Sequence, residues 1–332
     1  MGTPLANNAV PARPASGEAG LFTVALCTRG RREAHLRQAL ESLGKQTDRH
    51  FETIVVDNSK AGDLRISAPE GLELRLERER KPGLDHARNR AIEQARGEFI
   101  AFIDDDCEAH PDWIRNLRTA FDDPSVTCAT GRVRPARIEN PVQNWFEVLS
   151  PFDRGPEEKR FMLNGHGRTT VHESTLLGTG CNMAFRRTVF HAVGKFDIAL
   201  DMGTVVGGGG DLDMFARVID AGFVALYSPQ AEVLHHHRER RRQLYAQLFG
   251  YGVSVGALSF KSLLAPSGKL KRILGSQWHF AYHVSRIAWT RLRSRSPEFP
   301  PVTLSLAMLL GNALGPAFYL VSLLRARTAR SP

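Results

Sequence analysis

Cysteine is scarce in this chain of 332 residues. Its four thiols, Cys27, Cys107, Cys128 and Cys181, lie far apart and include no CxxC pair. That argues against a disulfide scaffold and a structural zinc site, and it suits a reducing compartment. Also missing is a secretory leader: residues 1–20, rich in Ala, Pro, Gly and Asn, have neither the basic start nor the apolar run of a signal peptide. A disordered leader is expected there, with order beginning at Leu21. General disorder and a polytopic membrane protein are both excluded, because 42% of the residues are hydrophobic and 24% charged. Acidic residues become rare toward the C-terminus. From Arg238 onward, 15 Lys and Arg stand against 2 Asp and Glu, a net +13 in a chain whose total is +9. A mildly acidic body therefore carries a basic tail, which points to an anionic surface as the tail's partner.

What is present is an alternation of strand and helix patterns. Residues 21–27 (LFTVALC) read as a strand ending in the turn Thr28-Arg29-Gly30, and Leu36, Leu40 and Leu43 mark a helix face after it. A second strand, 51–56, stops at Asp57, and Leu72, Leu74 and Leu76 alternate with other residues in a third. Residues 86–95 read as a helix with Gly97 as its C′ residue, and the apolar strand 99–103 runs straight into Asp104-Asp105-Asp106. This order predicts right-handed crossovers and a mostly parallel sheet, in which ligands bind outside the carboxyl ends of the strands. Asp57 and the three consecutive aspartates fall at that edge. From 135 to 179 the periodicity is lost, which predicts a long functional loop. Helical pattern returns at 186–193 and 212–221, and short strands are expected at 224–227 and 232–234.

Three clusters carry chemistry. Close carboxylates such as Asp104, Asp105 and Asp106 repel one another, and a divalent cation or hydrogen bonds relieve that cost; hard oxygen ligands suit Mg²⁺ or Mn²⁺. A solvated acidic turn is the plainer reading. Gly207-Gly208-Gly209-Gly210 precedes Asp211 and Asp213 at the start of a helix, where a carboxylate can serve as a general base toward an acceptor hydroxyl or simply cap the helix. In His235-His236-His237-Arg238, an extended backbone points His235 and His237 to one side, where imidazole can complete a metal shell and Arg238 can neutralise a diphosphate.

The ordered set CTRGRREAHLRQALESL, FETIVVDNS, GLDHARNRAIEQARGEFIAFIDDD, HPDWI, GTGCNMAFRR, GGGGDLDMFARVIDAGF and HHHR resembles glycosyltransferase family 2 over roughly residues 22–252. The resemblance implies an α/β GT-A fold, Rossmann-like, with a mostly parallel sheet flanked by helices, and inverting transfer of a sugar from a nucleotide diphosphate sugar. It implies that Thr28, Arg29 and Asp57 meet the nucleoside, that Asp104 and Asp105 meet ribose and metal, and that Asp106 holds Mn²⁺ or Mg²⁺ on the diphosphate, with Asp104 and His237 as further ligands. Lys81, Arg88 and Asn89 match the segment lining the donor pocket, Gly180 and Asn182 the loop under the sugar, and Arg238 the diphosphate side. Asp211 is the implied catalytic base. One departure stands out: members often carry Glu just before that aspartate, and here the position is Gly210.

Residues 303–324 are a charge-free apolar run, long enough as a helix to match a bilayer core, flanked by basic residues on both sides. The expected organisation is a leader at 1–20, a catalytic domain at 21–260, and a basic helical, membrane-associated tail at 261–332. Since nucleotide sugars are cytosolic, the expected location is the cytoplasmic face of the plasma membrane. The acceptor is expected to be a glycan, a glycolipid or a small hydroxyl compound. The tail reads as lacking the interleaved aromatics of a strand-stacking surface, so no nucleic-acid partner is expected. A sugar nucleotidyltransferase is the competing enzyme, but the loop TRGRRE has a single glycine where such enzymes carry a glycine-rich signature. A non-catalytic nucleotide-sugar-binding scaffold would be expected to lose acidic residues that this chain keeps.

Overall fold

The computed structural model describes residues 18–163, 169–265, 270–294 and 296–328. The strands are β1 (Glu18–Thr28), β2 (Phe51–Asp57), β3 (Leu74–Arg78), β4 (Gly97–Ile103), β5 (Cys107–Ala109), β6 (Val126–Pro135), β7 (Lys159–Phe161), β8 (Asn182–Arg186) and β9 (Val224–His235). The α-helices are α1 (Glu33–Gly44), α2 (Leu84–Gln94), α3 (Trp113–Ala120), α4 (Pro141–Leu149), α5 (Val171–Leu177), α6 (Val189–Val193), α7 (Gly210–Asp220), α8 (Arg241–Leu264), α9 (Leu270–Ser294) and α10 (Val302–Thr328).

The nine strands among the described residues join one sheet in the order β3-β2-β1-β4-β8-β6-β9-β5, with β7 also pairing β9. Strands β3, β2, β1 and β4 are parallel neighbours, the half that the βα alternation foretold. Beyond β4 the sheet is mixed, because β8 lies antiparallel between β4 and β6. Only five residues long, β8 is too short for its periodicity to be read. Helices α1 and α3 cover one face, burying Leu36, Leu40, Leu43, Trp113 and Leu117. Helices α2, α6 and α7 cover the other with Ala87, Phe190, Met214 and Phe215. Both faces being covered explains why every residue of β2 is buried.

Several local expectations are corrected. Strand β1 starts at Glu18, inside the segment read as a leader, and residues 1–17 of that segment lie outside the described residues. Gly97 opens β4, and Ala95 caps α2; a Cβ on Gly97 would stand 2.5 Å from the Leu21 carbonyl oxygen, so strand packing requires this glycine. The stretch 135–179 is not one loop: it holds α4, β7 and α5. Helices α4 and α5 are each fixed by a capping box, Asn140 with Gln143 and Thr170 with Glu173, a local signal that survives where seven to nine residues are too few for a period. The two short strands expected at 224–227 and 232–234 are one strand, β9, whose register against β6 shifts between Gly131 and Val133.

Helix α8 runs through residue 260, and α10 lies along it. The two backbones touch at glycines. A Cβ on Gly252 would collide with the Met308 carbonyl oxygen, and one on Gly256 with that of Asn312; Gly311 and Gly315 meet Phe249 and Val253 in the same way. Small residues spaced four apart on both helices allow this close approach. Helix α10 passes through Pro316 without a break. It is long and apolar enough to cross a membrane, with mean hydropathy 1.6, and a third of that stretch is buried against the rest of the protein. Helix α9 overturns the reading of an aromatic-poor tail: Trp278, Tyr282 and Trp289 are all exposed on it.

Candidate active site

The loops that leave β1, β2 and β4 meet at one edge, because Thr28 pairs in register with Asp57 and β4 lies on the other side of β1. Asp57, 3% exposed, accepts from the Ser59 N–H at 2.7 Å and from Arg78 Nη1 at 2.6 Å. Burial pushes its carboxyl up, but the Ser59 and Arg78 hydrogen bonds outweigh it and hold Asp57 below the usual carboxylate range. It lines an open cleft of about 600 Å³ together with Lys60, Gly62, Arg78 and Arg80. Thr28 Oγ1 donates to Asp105 Oδ2 at 2.5 Å and accepts from the Gly30 N–H at 3.0 Å, so Thr28 and Asp105 are brought together. Arg29 and Lys81 are exposed at this edge. The Lys81 carbonyl accepts from Asn58 Nδ2 at 2.7 Å, which pins the loop before α2.

The three aspartates have three different environments. Asp104 lies 3.9 Å from Arg88 Nη2; burial pushes it up to about 7 against the pull of that guanidinium. Burial, with Asp106 adding to it, raises Asp105 to about 6. Asp106 is buried and forms an ion pair with Arg32, while its other oxygen lies 3.6 Å from His235 Nε2. Asp106, Cys107 and His235 bring one ligand atom each within 4.8 Å of one another.

This donor set fits a divalent cation. Burial lowers His235 to about 4, so the imidazole is neutral near pH 7 and one ring nitrogen has its lone pair available. A carboxylate beside a neutral imidazole suits Mn²⁺. Cys107 is the weaker candidate, because burial raises its thiol and keeps it protonated. Behind His235 the support is layered. His235 Nδ1 and His237 Nδ1 share a hydrogen bond of 2.9 Å, and His237 Nε2 meets Glu147 Oε1 at 2.6 Å. The imidazole brought to Asp106 is therefore that of His235, whereas His237 orients it, a second layer typical of metal sites. Arg238 follows, half-buried, just past the end of β9.

On the far side of Arg88 from Asp104, α7 opens at Gly210 after Gly209, whose φ is +100°. Asp211 Oδ2 accepts from the Gly180 N–H at 2.7 Å, and Arg88 Nη2 donates to the Gly180 carbonyl at 3.2 Å. Gly180 is thus clasped between Arg88 and Asp211. Asp213, two positions on, is engaged in ion pairs with Arg217 at 2.8 Å and Lys261 at 2.6 Å, which leaves Asp211 as the carboxylate of that pair that meets Gly180. Two expected donor residues serve the framework. Asn89 exchanges hydrogen bonds with the Phe196 backbone at 3.0 and 2.8 Å. Asn182, wholly buried, bonds Trp113, Arg132 and Ala231. Sequence reasoning passed over Arg32, Arg78, Asp85 and Glu147, none of which carried a visible local signal; His235 was read there beside His237 as an imidazole able to complete a metal shell.

Comparison with known proteins identifies the family and supports the fold. The family described as glycosyl transferase family 2 matches residues 23–194. A pre-mycofactocin glycosyltransferase of Mycobacterium tuberculosis is 27% identical over 254 residues, covering 75% of this chain and 50% of that protein; the chain thus spans about half that relative's length. An O-antigen chain rhamnosyltransferase of Salmonella anatum is 26% identical over 70% of this chain and 71% of its own. Among solved structures, a mannosyltransferase from Pyrobaculum calidifontis in complex with GDP-Man and Mn²⁺ superposes with a TM-score of 0.52 at 15% identity, covering 93% of this chain and 88% of that one. At that identity the likeness speaks for the fold alone.

Proposed function

The chain belongs to glycosyltransferase family 2, and we propose that it transfers a sugar from a nucleotide diphosphate sugar to an acceptor hydroxyl, with inversion, using Mn²⁺ or Mg²⁺. The observation that carries this reading is the Arg88–Gly180–Asp211 clasp, which links the aspartate cluster to the carboxylate of Asp211 at 3.9, 3.2 and 2.7 Å. Asp57 accepts from the base edge, with Thr28 and Arg29 beside the nucleoside and Asp104 and Asp105 beside the ribose. Asp106 and His235 would hold the metal, with Asp104 beside them and His237 supporting His235. A cation held there would supply positive charge against the departing diphosphate. Asp211 takes the proton of the acceptor hydroxyl as its oxygen attacks the anomeric carbon, while the bond to the diphosphate breaks on the opposite face. One displacement inverts the configuration. Lys81 and Arg238 flank the diphosphate side.

The tail supports work at a membrane. On α9, the exposed Leu270, Leu274, Trp278, Tyr282, Trp289 and Leu292 recur at helical spacing, opposite the buried Ser276, Val284 and Ile287. No acidic residue occurs between Glu239 and Glu298. An amphipathic, purely basic helix with tryptophans on its apolar side suits anionic lipid, at about 1 kcal/mol per basic residue near the surface. The acceptor would then be a glycan or glycolipid precursor at the cytoplasmic face of the plasma membrane, and the activity would serve surface-glycan synthesis.

The test is a panel of UDP-glucose, UDP-N-acetylglucosamine, GDP-mannose and dTDP-rhamnose with Mn²⁺, scored by thermal stabilisation and nucleotide release. One donor class should stabilise the protein only in the presence of metal. Stabilisation by none of them, with or without metal, would overturn the reading.

A further inference from the structure

Gly210 is the first residue of α7 and immediately precedes Asp211. Unlike Gly207, Gly208 and Gly209, it has no positive φ, so its backbone does not require glycine. Space does. A Cβ at 210 would collide with the carboxylate of Asp85, which reaches over from the first turn of α2. The Asp85 side chain is 3% exposed, and its position is fixed from both ends. Its backbone N–H donates to Asp201 Oδ2 at 2.9 Å, and its Oδ1 accepts from Arg88 Nη1 at 3.2 Å. The other arm of Arg88 is the one that bonds Gly180, whose N–H holds Asp211.

We infer that Asp85 is a positioning residue for Asp211, its carboxylate standing where the side chain of residue 210 would otherwise lie. The departure noted in the sequence, a glycine where related chains often carry Glu, is then a relocation: the carboxylate beside the base is supplied from α2 in place of α7. From there it orients Arg88, Arg88 fixes Gly180, and Gly180 aims Asp211. Because Asp85 is shielded from solvent, it acts through this chain of contacts and does not touch the acceptor. The inference rests on Asp211 being the base, and its test separates the two.

The experiment uses the full chain and four variants: Asp85→Ala, Gly210→Ala, Asp85→Ala with Gly210→Ala, and Asp85→Ala with Gly210→Glu. In thermal unfolding, Gly210→Ala should destabilise the wild type and cost little in the Asp85→Ala background. An equal cost in both backgrounds would overturn the contact. In nucleotide release from the donor panel above, Asp85→Ala should lower turnover roughly a hundredfold, the scale of a misaimed catalytic group, with donor KM changed by less than about threefold. Returning a carboxylate through Gly210→Glu should recover at least about tenfold over Asp85→Ala. Wild-type turnover in Asp85→Ala, or no recovery in a folded Asp85→Ala/Gly210→Glu protein, would reduce Asp85 to a structural residue. If Asp211→Asn retains full turnover, the base assignment fails and the positioning role fails with it, while the unfolding cycle still reports the Asp85–Gly210 contact on its own.

Discussion

Asp213 on α7 and Lys261 on α8 form an ion pair of 2.6 Å, and Lys261 also meets Asp197 at 2.6 Å. The helix that presents Asp211 is therefore bolted to the helix that begins the tail. Asp213 is 7% exposed in its side chain and Lys261 27%, so removing one partner leaves the other charge poorly solvated.

Asp213→Asn should accordingly destabilise the fold by roughly 3 kcal/mol, the scale of breaking a buried pair. Urea unfolding measures it directly. Lys261→Met should cost a similar amount, because it removes the ion pair of Asp197 and leaves Asp213 with Arg217 alone. A change below about 0.5 kcal/mol in both variants would place the pair among the weak surface bridges.

Asp211→Asn should behave in the opposite way. The amide keeps the shape and the capping capacity but cannot take a proton. Stability and metal-dependent donor binding should stay near wild type, while turnover falls by roughly a hundredfold to ten-thousandfold. Collapse of donor affinity in thermal shift would make Asp211 a binding residue.

The metal site gives a ranked prediction. Asp106→Ala should abolish stabilisation by Mn²⁺, as should EDTA in the wild type. His235→Ala should weaken Mn²⁺ affinity more than His237→Ala, whose loss should cost roughly tenfold to a hundredfold, as outer-layer partners do. Calorimetric titration with Mn²⁺ alone reads the order, and the reverse order would restore His237 as the ligand.

The aspartate cluster also predicts a pH slope. Asp104 and Asp105 have folded-state values raised by burial to about 7 and about 6. Raised carboxyls hold more protons in the folded chain than in the unfolded one, so their contribution to stability is complete below the ordinary value of about 4 and is lost as pH rises through 6 and 7. Without metal, the melting temperature of wild type should therefore fall across this window relative to Asp104→Asn. Added Mn²⁺ should flatten the slope, because the cation favours the ionised forms. Parallel melting curves for wild type and variant from pH 4 to 8 would contradict it.

For the tail, Trp278→Glu with Trp289→Glu should release the protein from vesicles containing phosphatidylglycerol while leaving nucleotide release unchanged. Co-sedimentation equal to wild type would remove α9 from the membrane reading. Binding to single-stranded nucleic acid at the same salt would point the aromatic face elsewhere.

The parallel half of the sheet was legible because β1, β2 and β4 are apolar runs ended by Thr28, Asp57 and Asp104, and α1 repeats leucine at helical spacing. The aspartates and Asp211 were legible for a chemical reason: carboxylates crowded after a buried strand or a glycine run have no packing role. The remainder depended on non-local pairing. Strand β8 is recognisable only once β4 and β6 flank it. His235 and His237 alternate in the same way on one extended segment, so period alone does not separate ligand from support; the Glu147 side chain, from a helix in the supposedly irregular stretch, decides it. Asp85 was hidden for the same reason, since Gly210 lies 125 positions away in the chain and nothing local links the two.

The glycine contacts between α8 and α10 have one more consequence. Across from Gly252 and Gly256, the same helix α8 presents Ser254 and Leu258 to Gly208 and Gly209, at 3.3 to 3.4 Å and 3.1 Å from where their Cβ atoms would be. A single helix thickness, about 10 Å, therefore separates the tail from the loop that precedes Asp211, with backbone contact on the α10 side and the Ser254 and Leu258 side chains on the loop side. A displacement of α10 would thus reach the start of α7 through α8 alone, by way of Ser254 and Leu258.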